Sequence, residues 1–353
     1  MAKALVLMSG GLDSILAAKV LMEQGIEIEA ITFVTPFFDS KNGEKAAAEL
    51  GIPIHIVDIT AEHMAMIKNP KHGYGRFMNP CIDCHAMMMR RAGDLMHKIG
   101  ADFIATGEVL GERPKSQNRK ALDVVEEESG MKGYVLRPLS AKLLKPTNAE
   151  KEGLVDREKL LSIRGRSRKP QMALASKYGI TDYPSPAGGC ILADPMFSLR
   201  LRKLYEIEGI PPVNDINMMK IGRIFLSSEN AIIVVSRNEE ENKILIEQAK
   251  EDDYIFEVEG YPGPLVIVLS DSIGEATIFE AAALAARYSK AKAAPEADVS
   301  VWRHSYDRDR EYEHGQKVAD KRAIHIDNPA EAVSVTPGNE KELARINTSQ
   351  MTS

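Results

Sequence analysis

The chain is predicted to be an α/β protein, a doubly wound parallel sheet followed by a smaller α+β domain. Three observations carry this. Short apolar runs of strand length alternate with helical periodicity from the first residues on, in a β-α-β-α-β rhythm. A glycine-rich turn, Ser9-Gly10-Gly11-Leu12-Asp13-Ser14, joins the first strand to the first helix. Beyond Gly209-Ile210-Pro211-Pro212 the spacing changes to that of a separate α+β module.

Ala4 to Met8 reads as a short buried strand, and Ile15 to Leu21 as a helix packed on a sheet. The hexad between them is a strand-to-helix turn. Its glycines let backbone N–H groups approach an anion, and the helix N-terminus adds a positive dipole end. Ser9 and Ser14 offer hydroxyls to phosphate oxygens, and Asp13 stands where it caps the helix or holds Mg²⁺. No Gly-Lys-Ser/Thr follows, so this is not a Walker loop. Glu27–Val34 is the second strand, Lys45 to Leu50 a helix and Ile52 to Ile59 the third strand. In such sheets ligands lie at the C-terminal strand ends, so backbone groups near Phe33 are expected to take an adenine.

Lys68 to Met78 is a loop leading into Asn79-Pro80-Cys81-Ile82-Asp83-Cys84-His85, with a helix from about Ala86 to Ile99. Ala101 to Gly107 is a strand whose Thr106-Gly107 end falls on the ligand side. Gly111 to Gln117 is a polar turn, and Tyr134 to Leu139 one more strand. Positive charge then concentrates. A solvated helix face explains part of it, but Arg164-Gly165-Arg166-Ser167-Arg168-Lys169 is denser and suits phosphate contacts. Gly188-Gly189-Cys190 is a flexible loop, and Phe197 to Glu206 a basic helix carrying Arg200 and Arg202. In the second module Ala231 to Ser236, Tyr254 to Val258, Leu265 to Leu269 and Val299 to Trp302 read as strands, and Glu240 to Lys250 and Ala276 to Arg287 as helices.

The 353 residues, 44% hydrophobic and 27% charged, suit a soluble globular protein of two or three domains. No apolar run approaches the ~20 residues that span a bilayer, and the start lacks a signal-peptide layout. A cytoplasmic location without membrane association is therefore expected. A net charge of −6 gives no global sign of nucleic-acid binding, so that case rests on local patches. Three cysteines make no closed disulfide set. Cys81-x-x-Cys84 at a helix start presents two sulfurs whose thiolates the helix N-terminus favours. Cys190 after two glycines is an unusual place for an inert core cysteine. Three readings stay open: an iron–sulfur cluster held at three corners, zinc with His85 as fourth ligand, or a persulfide on Cys190 resolved by Cys84.

The hexad, Asn79-Pro80-Cys81-x-x-Cys84-His85, Ala105-Thr106-Gly107 and Gly-Gly-Cys190 occur in the order seen in PP-loop tRNA thiolation enzymes. The first ~205 residues resemble the 2-thiouridylase and 4-thiouridine synthetase families, which have an adenine nucleotide alpha hydrolase-like fold. The resemblance implies that ATP adenylates a uridine carbonyl and that sulfur then displaces AMP. By position it assigns Ser9, Gly10, Gly11, Asp13 and Ser14 to the ATP phosphates and Cys84 and Cys190 to sulfur handling. Cys81 stands where some of these enzymes have aspartate, as in three-cysteine iron–sulfur members of the superfamily. His85 replaces an asparagine, and Glu108 stands where Ala-Thr-Gly-His is common. In the second module Gly222-Arg223, Val235 to Asn242, Gly260 to Pro264 and Ala285 to Lys290 are similar to the NFACT-R (DUF814) domain, although its many acidic residues oppose phosphate contact.

The expected organisation is thus a PP-loop domain over 1–208, an NFACT-R-like domain over 209–326 and a flexible tail over 327–353. The expected activity is ATP-dependent tRNA sulfur transfer. Catalysis is expected of Asp13, Cys84 and Cys190, a [4Fe-4S] cluster on Cys81, Cys84 and Cys190, and nucleotide binding by the hexad with Phe33, Thr106 and Gly107. The tRNA would lie on Arg164, Arg166, Arg168, Lys169, Arg200 and Arg202. Sulfur would come from a cysteine desulfurase, a carrier or free sulfide, with a homodimer a possible assembly. Alternatives are a PP-loop enzyme acting on a small molecule and a non-enzymatic RNA-binding sensor.

Overall fold

A computed structural model of the chain describes residues 1–184, 189–304 and 322–327. They form two compact units, divided between Ser198 and Leu199.

The first unit runs β1 (Lys3–Leu7), α1 (Leu12–Met22), β2 (Glu27–Val34), α2 (Lys41–Leu50), β3 (Ile54–Asp58), α3 (Thr60–Lys68), α4 (Cys81–Ile99), β4 (Phe103–Ala105), α5 (Arg119–Ser129), β5 (Val135–Leu136), α6 (Asn148–Lys151) and α7 (Lys169–Lys177). The strands form one sheet in the order β3-β2-β1-β4-β5, every pairing parallel. The chain leaves β1 toward β2 and β3, then crosses back to β4, so the topological switch lies between β1 and β4. Alternation along β1 supplies both faces: Ala4 and Val6 join the core under α1, whereas Leu5 packs with Phe33, Met89, Met96 and Ile104 under α4. That double burial is why β1 reads as a continuous apolar run.

Several elements differ from the sequence expectation. α4 starts at Cys81 rather than Ala86, so both cysteines of Cys81-x-x-Cys84 lie in its first turn. α3 was not anticipated; only His63, Met64 and Ile67 of its nine residues are buried, too little pattern to read. β5 is two residues long, because Arg137 directly after it is drawn into a buried ionic network. α2 starts at Lys41, and α7 starts at Lys169, the last residue of the basic run.

α8 (Pro195–Glu208) spans the division between the units. Gly209, with φ of 79°, follows its end. The Gly-Ile-Pro-Pro stretch thus ends α8, about ten residues beyond the division between the two compact units. The second unit continues with α9 (Val213–Met218), β6 (Arg223–Leu226), β7 (Ile232–Val235), α10 (Glu239–Gln248), β8 (Tyr254–Val258), β9 (Val266–Leu269), α11 (Glu275–Tyr288), β10 (Glu296–Arg303) and β11 (Arg322–Asp327). Its antiparallel sheet has the order β11-β10-β8-β9-β7-β6. The alanine run Ala281 to Ala286 of α11 is buried with Phe256, Val266 and Val268, small side chains letting the helix lie close to the sheet. Asp327, placed in the tail by sequence, ends β11; the remainder of the expected tail lies outside the described residues. Among the described residues no helix is long and apolar enough to cross a membrane.

Candidate active site

The hexad lies at the C-terminal end of β1, and the geometry explains its glycines. Gly10 has φ of 74°, and a Cβ there would fall 2.2 Å from the backbone oxygen of Asn42 in α2. Gly107, at the end of β4, would place a Cβ 2.5 Å from the backbone carbon of Asp13 and nitrogen of Ser14. The two strand ends at the switch point thus touch through backbone. No side chain caps α1, contrary to one role expected of Asp13. Ser14 is buried and its hydroxyl donates to the Gly11 carbonyl at 2.8 Å, while the Ser9 hydroxyl accepts from Gly11 N–H at 3.3 Å.

Asp13 is the titratable centre of this cradle. Burial raises its carboxyl pKa, and the charges of Arg168 and Arg113 together with the Gln171 amide oppose that rise. Its Oδ1 is buried without a hydrogen-bond partner, as are both amide atoms of fully buried Gln171 and Nε of Arg168. Gln171 therefore faces the carboxylate without closing a hydrogen bond to it. Glu112 is raised as well, by burial and then by the charge of Asp13.

A second cluster sits at the start of α4. Cys84 Sγ lies 3.3 Å from Nε2 of His63, a buried ring whose pKa burial lowers to about 4. At pH 7 that ring is neutral. Asn79 Nδ2 donates to Cys81 Sγ at 3.3 Å. The thiols of Cys84, Cys190 and Cys81 are electrostatic neighbours. Burial above all, then the charges of Cys190 and Cys81, push the Cys84 thiol well up. Cys190 is exposed by area, yet enough protein surrounds it that desolvation raises its thiol too. Burial thus works against the thiolate that the helix N-terminus is expected to favour at Cys84. Among the described residues no three His, Cys, Asp or Glu side chains are grouped to hold a metal ion.

His85, the expected fourth zinc ligand, turns instead toward Glu108, with Nδ1 at 2.9 Å from Oε1. Burial alone would raise the Glu108 pKa, but the Arg137 charge and the His85 hydrogen bond prevail and hold it at about 2. The ionised carboxylate can only accept, so His85 Nδ1 carries the proton. Arg137 Nε donates to Glu108 at 2.9 Å and Nη1 to Glu126 at 2.5 Å, with Arg137 only 3% exposed. The Thr106 hydroxyl is 3.2 Å from Glu108 Oε2, so Thr106 braces this network. The Phe33 side chain packs into the core under α4, leaving only its backbone for a ligand.

Of the expected RNA contacts, Arg164, Arg166 and Lys169 are exposed, whereas Arg168 is half-buried and acts on Asp13. Arg200 donates Nη1 to the Met219 carbonyl at 3.1 Å, and it and exposed Arg202 belong to the second unit. Sequence reading missed His63, Arg113 and Gln171. Arg113 bears on both clusters, since its charge lowers the pKa of Asp13 and of Cys190.

A parallel sheet with a glycine cradle at its switch point, and thiols at the start of α4, is the arrangement expected of a PP-loop-like α/β domain. The comparisons agree. Residues 1–142 match the family described as thiamine biosynthesis protein (ThiI), and residues 222–323 match the NFACT protein RNA binding domain. The chain is similar to the tRNA-specific 2-thiouridylase MnmA of Syntrophotalea carbinolica, 34% identical over 29% of this chain and 33% of that protein. It is also similar to the MnmA of Sulfurimonas denitrificans, 30% identical over 46% of this chain and 50% of the other. A probable tRNA sulfurtransferase of Geobacillus kaustophilus is 31% identical over 39% and 34%. A solved 4-thiouridine synthetase–RNA complex with bound ATP is 27% identical over 39% of this chain and 36% of that one, with a TM-score of 0.32. The N-terminal region is thus related to tRNA thiolation enzymes and the C-terminal region to an RNA-binding domain. The chain spans a third to a half of the length of these curated relatives.

Proposed function

We propose that this protein is an ATP-dependent tRNA sulfurtransferase that activates a uridine carbonyl by adenylation and replaces its oxygen with sulfur. The observation that carries this reading is the end of β4, where Gly107 lies against the backbone of Asp13 and Ser14 in the glycine cradle and Glu108, the next residue, holds His85 beside Cys84. One strand end thus joins the two clusters, which suits a reaction in which a group activated at one is displaced at the other.

Ser9, Gly10, Gly11 and the α1 N-terminus would hold the ATP phosphates, with backbone near Phe33 at the adenine. The orphaned Oδ1 of Asp13 and the neighbouring Glu112 carboxylate fit Mg²⁺, which takes one or two carboxylates together with phosphate oxygens. That ion would offset charge on the phosphates. In the sulfur step, a Cys190 persulfide, formed when Cys190 takes the outer sulfur of a donor persulfide and frees the donor thiol, attacks the activated carbon and AMP leaves. Cys84 sulfur then bonds to the Cys190 sulfur as the persulfide S–S bond breaks, leaving thiocarbonyl on the base and a Cys84–Cys190 disulfide for an external thiol to reduce. His63 Nε2 stands at the Cys84 thiol to accept its hydrogen bond. The burial that raises the Cys84 thiol would also limit hydrolysis of the adenylate on that side. A [4Fe-4S] cluster on Cys81, Cys84 and Cys190 is the alternative sulfur site; these thiols are neighbours but not arranged as ligands, so no step is routed through it. Iron and sulfide counts after anaerobic purification distinguish the two: an active, iron-free protein rejects the cluster.

Exposed Arg164, Arg166 and Lys169, with Arg202, would meet tRNA phosphates, giving binding that weakens steeply with salt. The second unit would add local RNA contact. The test is genetic. A strain carrying Cys190→Ser or Asp13→Ala as its sole copy is expected to lose thiolated uridine from tRNA, read by mass spectrometry of digested nucleosides. Undiminished thiouridine in either strain defeats the proposal.

A further inference from the structure

The basic segment Arg164–Lys169 has an inward-facing member that RNA binding does not explain. Two loops leave the C-terminal ends of β4 and β5 and pair through backbone: Gly165 N–H donates to the Leu110 carbonyl at 2.8 Å, and Leu110 bridges Arg164 in parallel. Ser140 ties both, its hydroxyl accepting from Leu110 N–H at 2.9 Å and donating to the Ile163 carbonyl at 2.7 Å. The pairing leaves exposed Arg113 of the first loop and half-buried Arg168 of the second within electrostatic reach of Asp13. Around that carboxylate three buried polar groups lack protein partners: Asp13 Oδ1, the whole Gln171 amide and Arg168 Nε. Gln171 has no exposed surface at all. A buried amide without partners costs stability and calls for an explanation beyond packing.

We propose that Arg113 and Arg168 form a phosphate clamp opposite the hexad, Arg168 binding the pyrophosphate end of ATP and Arg113 the α-phosphate. Gln171 is a positioning residue that orients Asp13 between them. This deepens the adenylation reading and rests on it. In that step the uridine oxygen bonds to the α-phosphorus and the α–β bridging P–O bond breaks. Its electron pair leaves with pyrophosphate, and the N3 proton passes to water. Charge therefore grows on the pyrophosphate, where half-buried Arg168 stands. Arg113 reaches Cys190 as well as Asp13, so it remains on the α-phosphate when AMP is the group displaced. On this assignment Arg168 leaves the set of RNA contacts, while Arg164, Arg166 and Lys169 stay in it.

The test is calorimetric titration of the full chain, without RNA, with magnesium pyrophosphate and separately with AMP. Arg168→Ala is expected to weaken pyrophosphate binding roughly 10- to 100-fold and to leave AMP within about threefold; Arg113→Ala weakens AMP by a similar factor. Arg168→Lys restores part of the loss, since charge without the planar fork remains. Lys115→Ala, exposed on the same loop, leaves both affinities unchanged. Thermal melts of each variant separate lost binding from lost folding. Wild-type affinities in well-folded Arg168→Ala and Arg113→Ala overturn the clamp alone. A wild-type protein that binds neither ATP nor pyrophosphate overturns the clamp together with adenylation.

Discussion

Glu108→Gln is expected to lower the free energy of unfolding by about 3–5 kcal/mol, the usual result of breaking one side of a buried ion pair. The substitution keeps shape and creates no cavity, so the effect is electrostatic. Arg137 is 3% exposed and would keep only Glu126, while its Nη2 already lacks a partner. His85 would lose the carboxylate that receives its Nδ1 proton. Glu127→Gln gives the contrast. Its partner Lys132 lies at a similar distance, 2.6 Å, but both side chains are largely exposed, so solvent screens the pair and the change in stability should be barely detectable. Equal destabilisation by the two variants in urea titrations would show that burial of the network has been misread.

The same pair sets a pH dependence. Burial works against the Glu108 carboxylate, yet Arg137 and His85 bring its pKa from 4.5 down to about 2. A depressed carboxylate contributes its stability above the unfolded pKa and loses it as pH falls toward the folded value. Wild-type stability should therefore drop between about pH 4.5 and 2, by on the order of 3 kcal/mol from this group, and the drop should shrink in Glu108→Gln.

Gly107→Ala is expected to abolish nucleotide binding, with ATP affinity at least roughly 100-fold weaker in calorimetry. Here the added carbon meets backbone rather than a movable side chain. It would lie 2.5 Å from the Asp13 carbon and Ser14 nitrogen, so α1 and the hexad must shift away from β4. A displacement of about 1 Å at an anion cradle is costly because each N–H is aimed at one phosphate oxygen. Gly51→Ala is the control: it follows α2 with φ of 67° and open space around it, so backbone strain of about 1 kcal/mol should appear without any change in affinity. Tight ATP binding by Gly107→Ala would separate the end of β4 from the nucleotide site.

How much of this was legible in the sequence follows from the range of each interaction. The hexad, the strands of the first sheet, the two cysteines near α4 and the alanine-rich helix carry their meaning in adjacent or periodic residues. The parallel sheet and the glycine turn at the end of β1 follow from that local pattern. The short α3 and two-residue β5 escaped it because neighbours remote in the chain stabilise them: β5 is short because Arg137 turns inward to Glu108 and Glu126. The thiols are the clearest case. Position at a helix start suggested thiolate, whereas burial and mutual repulsion, which exist only in the folded protein, raise both Cys84 and Cys190. His63 carried no signal, since the contact with Cys84 spans 21 residues.

By itself, then, the sequence determined the fold class, the glycine cradle after β1 and the presence of three thiols, because propensity, periodicity and turn chemistry act over a few residues. Only the tertiary structure decided which charges face that cradle. Arg166 and Arg168 look alike in the chain, two positions apart in one basic run. Pairing of the loops after β4 and β5 leaves Arg166 in water and brings Arg168 to Asp13, and a charge acquires its role from the dielectric and the neighbours that folding provides.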